Sequence, residues 1–189
     1  MRLITRDSLT PRPWKNGGGL TRQIACFPPD SDLGSFDWRI SMAEVAQDGA
    51  FSRFEGADRR LYILEGAGLE LRFGAHGLRQ LQAGEHIDFP GEAEVHGRLL
   101  DGAVTDLSIM VQRDRQRAYF KKVSVNGSTA LDLPWETAAL FVCSGRITMK
   151  DPAVVANRFD TVMLDARHAR TLSISGSAEV LLVGLDPVG

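Results

Sequence analysis

Apolar and polar residues alternate along much of this chain, and helical periods are scarce. In Trp38-Arg39-Ile40-Ser41-Met42 the large apolar side chains fall at 38, 40 and 42 with polar ones between them, the period of a strand with one greasy and one polar face. Leu69-Glu70-Leu71-Arg72-Phe73 follows the same pattern. Leu61-Tyr62-Ile63-Leu64 and Val180-Leu181-Leu182-Val183 are short unbroken apolar runs, as expected of strands covered on both faces. Turn signals separate the runs: Asp48-Gly49, Glu55-Gly56, Glu65-Gly66, Ala83-Gly84, Pro90-Gly91, Asp101-Gly102, Ser144-Gly145 and Ser175-Gly176. Their spacing, often roughly 8–12 residues, predicts an all-β sandwich or barrel. Asn126-Gly127 reads as one more turn. Helix is expected only as single turns at 31–36 and 154–158.

The pattern repeats weakly. Leu61-Tyr62-Ile63-Leu64-Glu65-Gly66 aligns with Leu140-Phe141-Val142-Cys143-Ser144-Gly145. Each is followed by an alternating segment, 69–73 and 147–149, then by a polar turn and short apolar strands. That order points to a duplicated β module joined at 113–122. A chain of 189 residues makes about one domain or two small, tightly joined ones, and it can bury a core without staples. The joint carries Arg113, Arg115, Arg117, Lys121 and Lys122 beside the acid Asp114. It is either a solvated connector or a basic patch for phosphate or nucleic acid.

Composition weighs against the basic patch. The 22 Lys and Arg face 24 Asp and Glu, a formal net charge of −2, whereas a non-specific nucleic-acid binder needs excess cations to displace counterions. A hydrophobic fraction of 43% is that of a folded globular protein, not a disordered one. Cys26 and Cys143 lie far apart and in no C-x-x-C, which suits reduced thiols inside a cell. The start, Met1-Arg2-Leu3-Ile4-Thr5-Arg6-Asp7, lacks the apolar region of a secretory signal. The longest apolar run, 138–143, is far below the roughly 18 residues of a membrane span. A cytoplasmic protein is expected, with neither nucleic acid nor membrane as partner. Exposed sheet edges would permit a homodimer.

Several chemistries are missing. His76, His86, His96 and His168 form no H-x-H pair, and H-E-x-x-H does not occur. No bound metal is therefore expected, and His86 with His96 is the pair worth weighing. There is no G-x-S-x-G elbow and no G-x-x-x-x-G-K-[ST] loop. Arg22 stands where a dinucleotide fingerprint begun at Gly17 would need its last glycine. Neither cysteine has a neighbour that would make it a nucleophile. No catalytic residue and no cofactor is assigned.

Three places carry positive signals. The 19 glycines against 8 prolines ask for many tight or crowded backbone positions, and the densest are in Pro13-Trp14-Lys15-Asn16-Gly17-Gly18-Gly19-Leu20-Thr21-Arg22. Successive glycines can turn their N–H groups onto one side as a nest for an anion, with Lys15, Asn16 and Thr21 adding charge, amide and hydroxyl. The same run could be a plain turn between strands. Next, Arg39 and Ser41 share one strand face; pointed inward, Arg39 would clamp a carboxylate, and pointed outward it is an ordinary surface residue. Last, Asp106 and Ser108 share a face that is either solvated or inward and in need of polar partners. His96 near them is either a proton-transfer or hydrogen-bonding group or merely exposed.

The runs Pro13-Trp14-Lys15-Asn16-Gly17-Gly18-Gly19-Leu20-Thr21-Arg22-Gln23-Ile24 and Phe36-Asp37-Trp38-Arg39-Ile40-Ser41-Met42-Ala43 resemble the HutD/Ves family. So do Gly49-Ala50-Phe51-Ser52-Arg53-Phe54, Leu64-Glu65-Gly66 and the stretch from Asp101-Gly102 to Asp106-Leu107-Ser108-Ile109-Met110. They span most of 12–113 in the family's order. The resemblance implies an all-β, metal-free bicupin: two cupin-type, jelly-roll-like barrels, here 1–117 with the ligand pocket and 118–189. It implies ligand-binding roles for Lys15, Asn16, Gly17, Gly18, Thr21, Arg39, Ser41, Arg59 and Asp106, to which the residue reading adds His96. Ser108 departs from the family pattern, which has Asn there. The HutD branch is associated with histidine utilisation as a regulatory or accessory protein, with urocanate or formimidoyl- or formyl-glutamate as suspected ligand; the Ves branch is linked to cold and stress response.

The expected function is therefore binding of a small carboxylate without catalysis. The alternatives are a metal-independent enzyme using Asp106 or His96 on a related small acid, and a stress-related interaction scaffold.

Overall fold

The computed structural model describes residues 1–74, 77–165 and 170–189; His76 and His168 lie outside the described residues. Among the described residues it is all β apart from a 3-10 turn at Arg6–Ser8. The strands are β1 (Arg2–Ile4), β2 (Pro11–Pro13), β3 (Gly19–Phe27), β4 (Trp38–Val45), β5 (Gly49–Ala50), β6 (Ala57–Glu65), β7 (Leu69–Phe73) and β8 (Leu78–Leu81). They continue with β9 (His86–Pro90), β10 (Val95–Leu99), β11 (Val104–Gln112), β12 (Gln116–Asp132), β13 (Thr137–Lys150), β14 (Ala153–Asn157), β15 (Thr161–Asp165) and β16 (Thr171–Pro187).

Two compact units result: Thr10–Arg115, and Met1–Leu9 together with Gln116–Gly189. The expected division at 117/118 moves to 115/116, and the N-terminal strand changes unit. The cause is pairing: β1 lies antiparallel to β15, with Leu3 opposite Val162, and the Arg6 amide donates to Asp160 Oδ1 at 2.9 Å.

In Thr10–Arg115 a six-stranded sheet, β2-β3-β4-β11-β6-β9, accompanies a four-stranded one, β5-β10-β7-β8. Leu61, Ile63, Phe89 and Val104 from the larger sheet meet Leu69, Leu71, Leu81 and Val95 from the smaller in one buried cluster. Period-two alternation delivers these side chains to the inner faces. In the other unit β12, β13 and β16 are long enough for each to contribute twice to a single apolar core. Val123 and Leu131, Leu140 and Met149, and Ile174 and Leu182 all belong to it.

The repeat is visible in the pairing. In β6 against β11 the register shifts between Thr105 and Asp106, so that Ile63 faces Asp106 and Glu65 faces Thr105. In β13 against β16 it shifts between Val142 and Ser144, so that Val142 faces Val180 and Ser144 faces Glu179. Both bulges precede the aligned Gly66 and Gly145. Gly145 sits at φ 77°, and a Cβ there would stand 2.1 Å from the Ser177 carbonyl oxygen. Superposing the two bulges sets Asp106 and Ser108 against Val180 and Leu182, so the polar face of one unit is apolar in the other. Gly184 there makes room for the Trp135 indole, which a Cβ would overlap.

Some local expectations change. The segment 154–158 is not helical: Val154 and Val155 lie in β14, paired with β13, as suits β-branched residues. At 31–36 the chain makes a turn held by Asp32 Oδ1, which accepts from the Gly34 amide at 2.9 Å and Ser35 Oγ at 2.7 Å. Gly127, Gly145 and Gly176 lie inside β12, β13 and β16, not between strands. The basic joint is ion-paired: Arg113 meets Asp58 and Glu92, and Arg115 meets Asp37.

Candidate functional site

Beyond its apolar core, the inner face of the six-stranded sheet becomes polar. Three rows of side chains run across the strands. Gln23, Ser41 and Ser108 form one; Thr21, Ala43 and Asp106 form another. Arg39, Met110 and Arg59 form the third. Strands lie about 4.8 Å apart, so the Arg39 and Arg59 backbones stand about 10 Å apart with Met110 between them. These residues line a cavity of about 630 Å³, closed further by Trp14, Lys15 and Asn16 of the β2–β3 hairpin, by 31–33, and by Phe51 and Phe54.

Each buried polar group has a distinct environment. Arg39 is 8% exposed; its Nε–H donates to Gln23 Oε1 at 3.0 Å. Burial lowers its pKa from the usual range. The Arg59 Nε–H donates to Ser108 Oγ at 3.1 Å. Its guanidinium lies 4.9 Å from the Phe51 ring centroid and 5.5 Å from that of Phe89, a cation–π sandwich. Burial pulls Arg59 down to about 10, against the field of Asp106, so it is still a full cation at neutral pH. Asp106 is 1% exposed, and its Oδ1 has no hydrogen-bond partner among the described residues. Burial pushes its carboxyl up to about 7, the Arg59 charge opposing, as expected for an acid taken out of water.

The cavity gathers Lys15, Asn16, Thr21, Arg39, Ser41, Arg59 and Asp106 from the residues expected at a site. Gly17 and Gly18 are not among its lining residues, and the anion nest does not form. The Gly17 amide donates to the Trp14 carbonyl at 3.0 Å and the Gly18 amide to Asn16 Oδ1 at 3.0 Å, so both donors are taken up within the turn. His96 is also absent from the cavity. It is exposed on β10 between buried Val95 and Gly97, because alternation sends it to the outer face. Among the described residues no three His, Cys, Asp or Glu converge as a metal set. Burial raises the Cys143 thiol to about 11, which keeps it protonated and unreactive.

Sequence reasoning missed Gln23, Trp14 and Phe51. Gln23 could have been found by stepping two residues from Thr21 along one face. Phe51 gave no such sign: it reaches Arg59 because Gly97 leaves space, a Cβ there coming within 2.7 Å of the Phe51 ring.

The match to the HutD family model runs over residues 6–182. The chain belongs to the HutD family. Among its relatives, protein Ves of Citrobacter koseri is 35% identical over 146 residues, 77% of this chain and 74% of that one. An uncharacterized 21.2 kDa protein in the hutC 3′ region of Pseudomonas putida is 31% identical over 147 residues, 78% of this chain and 76% of that one. HutD from Pseudomonas fluorescens SBW25, solved in a formate condition, superposes with a TM-score of 0.86 at 26% identity, covering 100% of this chain and 99% of that one. A cupin 2 conserved barrel domain protein from Leptotrichia buccalis shares the fold, with a TM-score of 0.62 at 11% identity over 98% of this chain and 96% of that one. This member of the HutD family is thus a double cupin-type β protein. Among the described residues no helix is long and apolar enough to cross a membrane.

Proposed function

We propose that this protein is a cytoplasmic accessory or regulatory protein of histidine utilisation that binds a small carboxylate, such as urocanate or formimidoyl- or formyl-glutamate, without transforming it. One observation carries the reading. Three arginines line a cavity of about 630 Å³, and the Nε–H groups of the inner two, Arg39 and Arg59, go to neutral partners, Gln23 and Ser108. No ion pair involves Arg39 or Arg59 among the described residues. Cations left without a carboxylate in a partly desolvated cavity favour an anion from outside. Membership of the HutD family and the relative in a hutC 3′ region support the pathway.

The test is calorimetric titration and thermal shift with urocanate and formylglutamate. Wild-type protein binds at least one of them, and Arg39→Ala abolishes the stabilisation while keeping the circular dichroism spectrum. Stabilisation that survives Arg39→Ala removes the pocket from this role. One observation favours an acid–base enzyme instead: a carboxyl poised at about 7 inside the cavity. Loss of the urocanate chromophore at catalytic protein levels would establish that reading and end the binding-only one.

A further inference from the structure

The cavity surrounds Asp106 with an unusual set of neighbours. The charged groups lining it are Arg12, Lys15, Asp32, Arg39 and Arg59. None of them makes an ion pair with Asp106 among the described residues, although the Arg59 charge reaches it. The Arg59 Nε–H is turned to Ser108 Oγ. Thr21, opposite Ala43 in the same row as Asp106, accepts from Trp14 Nε1–H at 2.7 Å, and its hydroxyl makes no bond to Asp106 Oδ1. Asp106 Oδ1 is left buried and unpartnered. An ionised carboxylate in that place would keep one buried oxygen without a donor, which is less favourable than a neutral acid. A neutral acid offers one O–H, and an O–H in a cavity needs an acceptor.

We infer that Asp106 enters the complex as a neutral carboxylic acid and donates its proton in a hydrogen bond to a carbonyl-type oxygen of the ligand. The site then takes an acid with oxygens at both ends, an N-acyl amino acid or a dicarboxylate, and binds it with uptake of a proton. The inference rests on the small-acid reading of the same cavity. Among the acids named above it favours the formyl compound and rejects the formimidoyl one, or any ligand whose far end is a cation, since that end would need Asp106 ionised. The layout suits two ends. The Arg39 and Asp106 rows are separated by four strand residues, about 13 Å of backbone, and the long arginine side chains shorten the gap. Asp106 changes charge over the neutral pH range, whereas Arg59, pulled down only to about 10, stays cationic, and the Ser35 hydroxyl and Gly34 amide hold Asp32 below the usual carboxylate range.

Isothermal titration from about pH 6 to about pH 8.5, in buffers of differing ionisation enthalpy, tests this. The probes are glutarate, N-acetylglycine and imidazole-4-acetate. Glutarate or N-acetylglycine binds more tightly than imidazole-4-acetate. Its affinity falls about tenfold per pH unit above pH 7, with about one proton taken up at the alkaline end. Asp106→Asn, which keeps a donor, binds the same probe with a flat pH profile. Binding without proton uptake, or preference for imidazole-4-acetate, overturns this inference and leaves the small-acid reading standing. No heat with any of the probes overturns both.

Discussion

Arg59 on β6 donates its Nε–H to Ser108 Oγ on the adjacent β11 at 3.1 Å. That bond aims a guanidinium held between Phe51 and Phe89 along the inner sheet face and into the cavity. Ser108 thus lines the cavity and orients a cation. Ser108→Ala frees Arg59 to reorient. Carboxylate affinity then falls about tenfold, the worth of one hydrogen bond to a charged group, with little change in melting temperature. Ser108→Asn keeps most of the affinity. Titration of the two variants with one carboxylate decides, and equal affinity in Ser108→Ala and wild type removes Ser108 from the site.

Asp106 gives stability a pH dependence of known sign. An unfolded aspartate titrates near 3.8, and folded Asp106 titrates at about 7. Between those values the folded chain holds a proton that the unfolded chain has released. This group therefore contributes stability that is fully present below pH 3.8 and is lost as pH rises to about 7. Asp106→Asn cannot ionise. Its melting temperature exceeds that of wild type near pH 8, and the difference shrinks as pH falls towards about 4. A difference independent of pH in scanning calorimetry would show that Asp106 is not held neutral by the fold.

Gly97 gives Phe51 its place. A methyl group there would meet the ring at 2.7 Å, so Gly97→Ala pushes Phe51 away from Arg59. The expected cost is about 1–3 kcal/mol of stability, as for other overpacked cores, together with weaker carboxylate binding. Denaturant unfolding measures the first effect and titration the second. Full stability with full affinity would mean that the Phe51–Arg59 contact is dispensable.

Trp135 belongs to the other unit, over Gly184 and stacked on Tyr119 at a centroid distance of 5.7 Å. Trp135→Ala should lower stability by about 2–4 kcal/mol, since the indole is only partly buried. Carboxylate affinity and a stoichiometry of about one per chain remain unchanged. A second binding site appearing in the variant would show that the apolar unit keeps a latent pocket.

Much of this was legible in the residues. Alternation at 38–42 and 69–73 marked strands; at 69–73 Leu69 and Leu71 turn to the core as the pattern implies, whereas at 38–42 both faces are buried and the polar one lines the cavity. The aligned runs at 61–66 and 140–145 marked a repeat, and the structure returns it as two matching bulges. Glycine was read less well. Ser144-Gly145 and Ser175-Gly176 looked like strand ends, yet a bent strand and a turn ask for the same residue. The glycine run at 17–19 was open to an anion nest or a plain turn, because composition shows donors but not which acceptor takes them.

By itself the sequence determined the all-β class, the duplicated module and the family, since each depends on local period or on motifs along the chain. It also named Arg39, Arg59 and Asp106. Only the tertiary structure decided what surrounds them. Whether Arg39 and Ser41 faced water or a cavity depended on which sheet covers them. Whether Asp106 was an ordinary carboxylate depended on the distance of every donor around it. His96 and Asp106 were both candidates in the sequence; strand register put His96 in water and Asp106 inside. Register is a property of paired strands, and no single segment contains it.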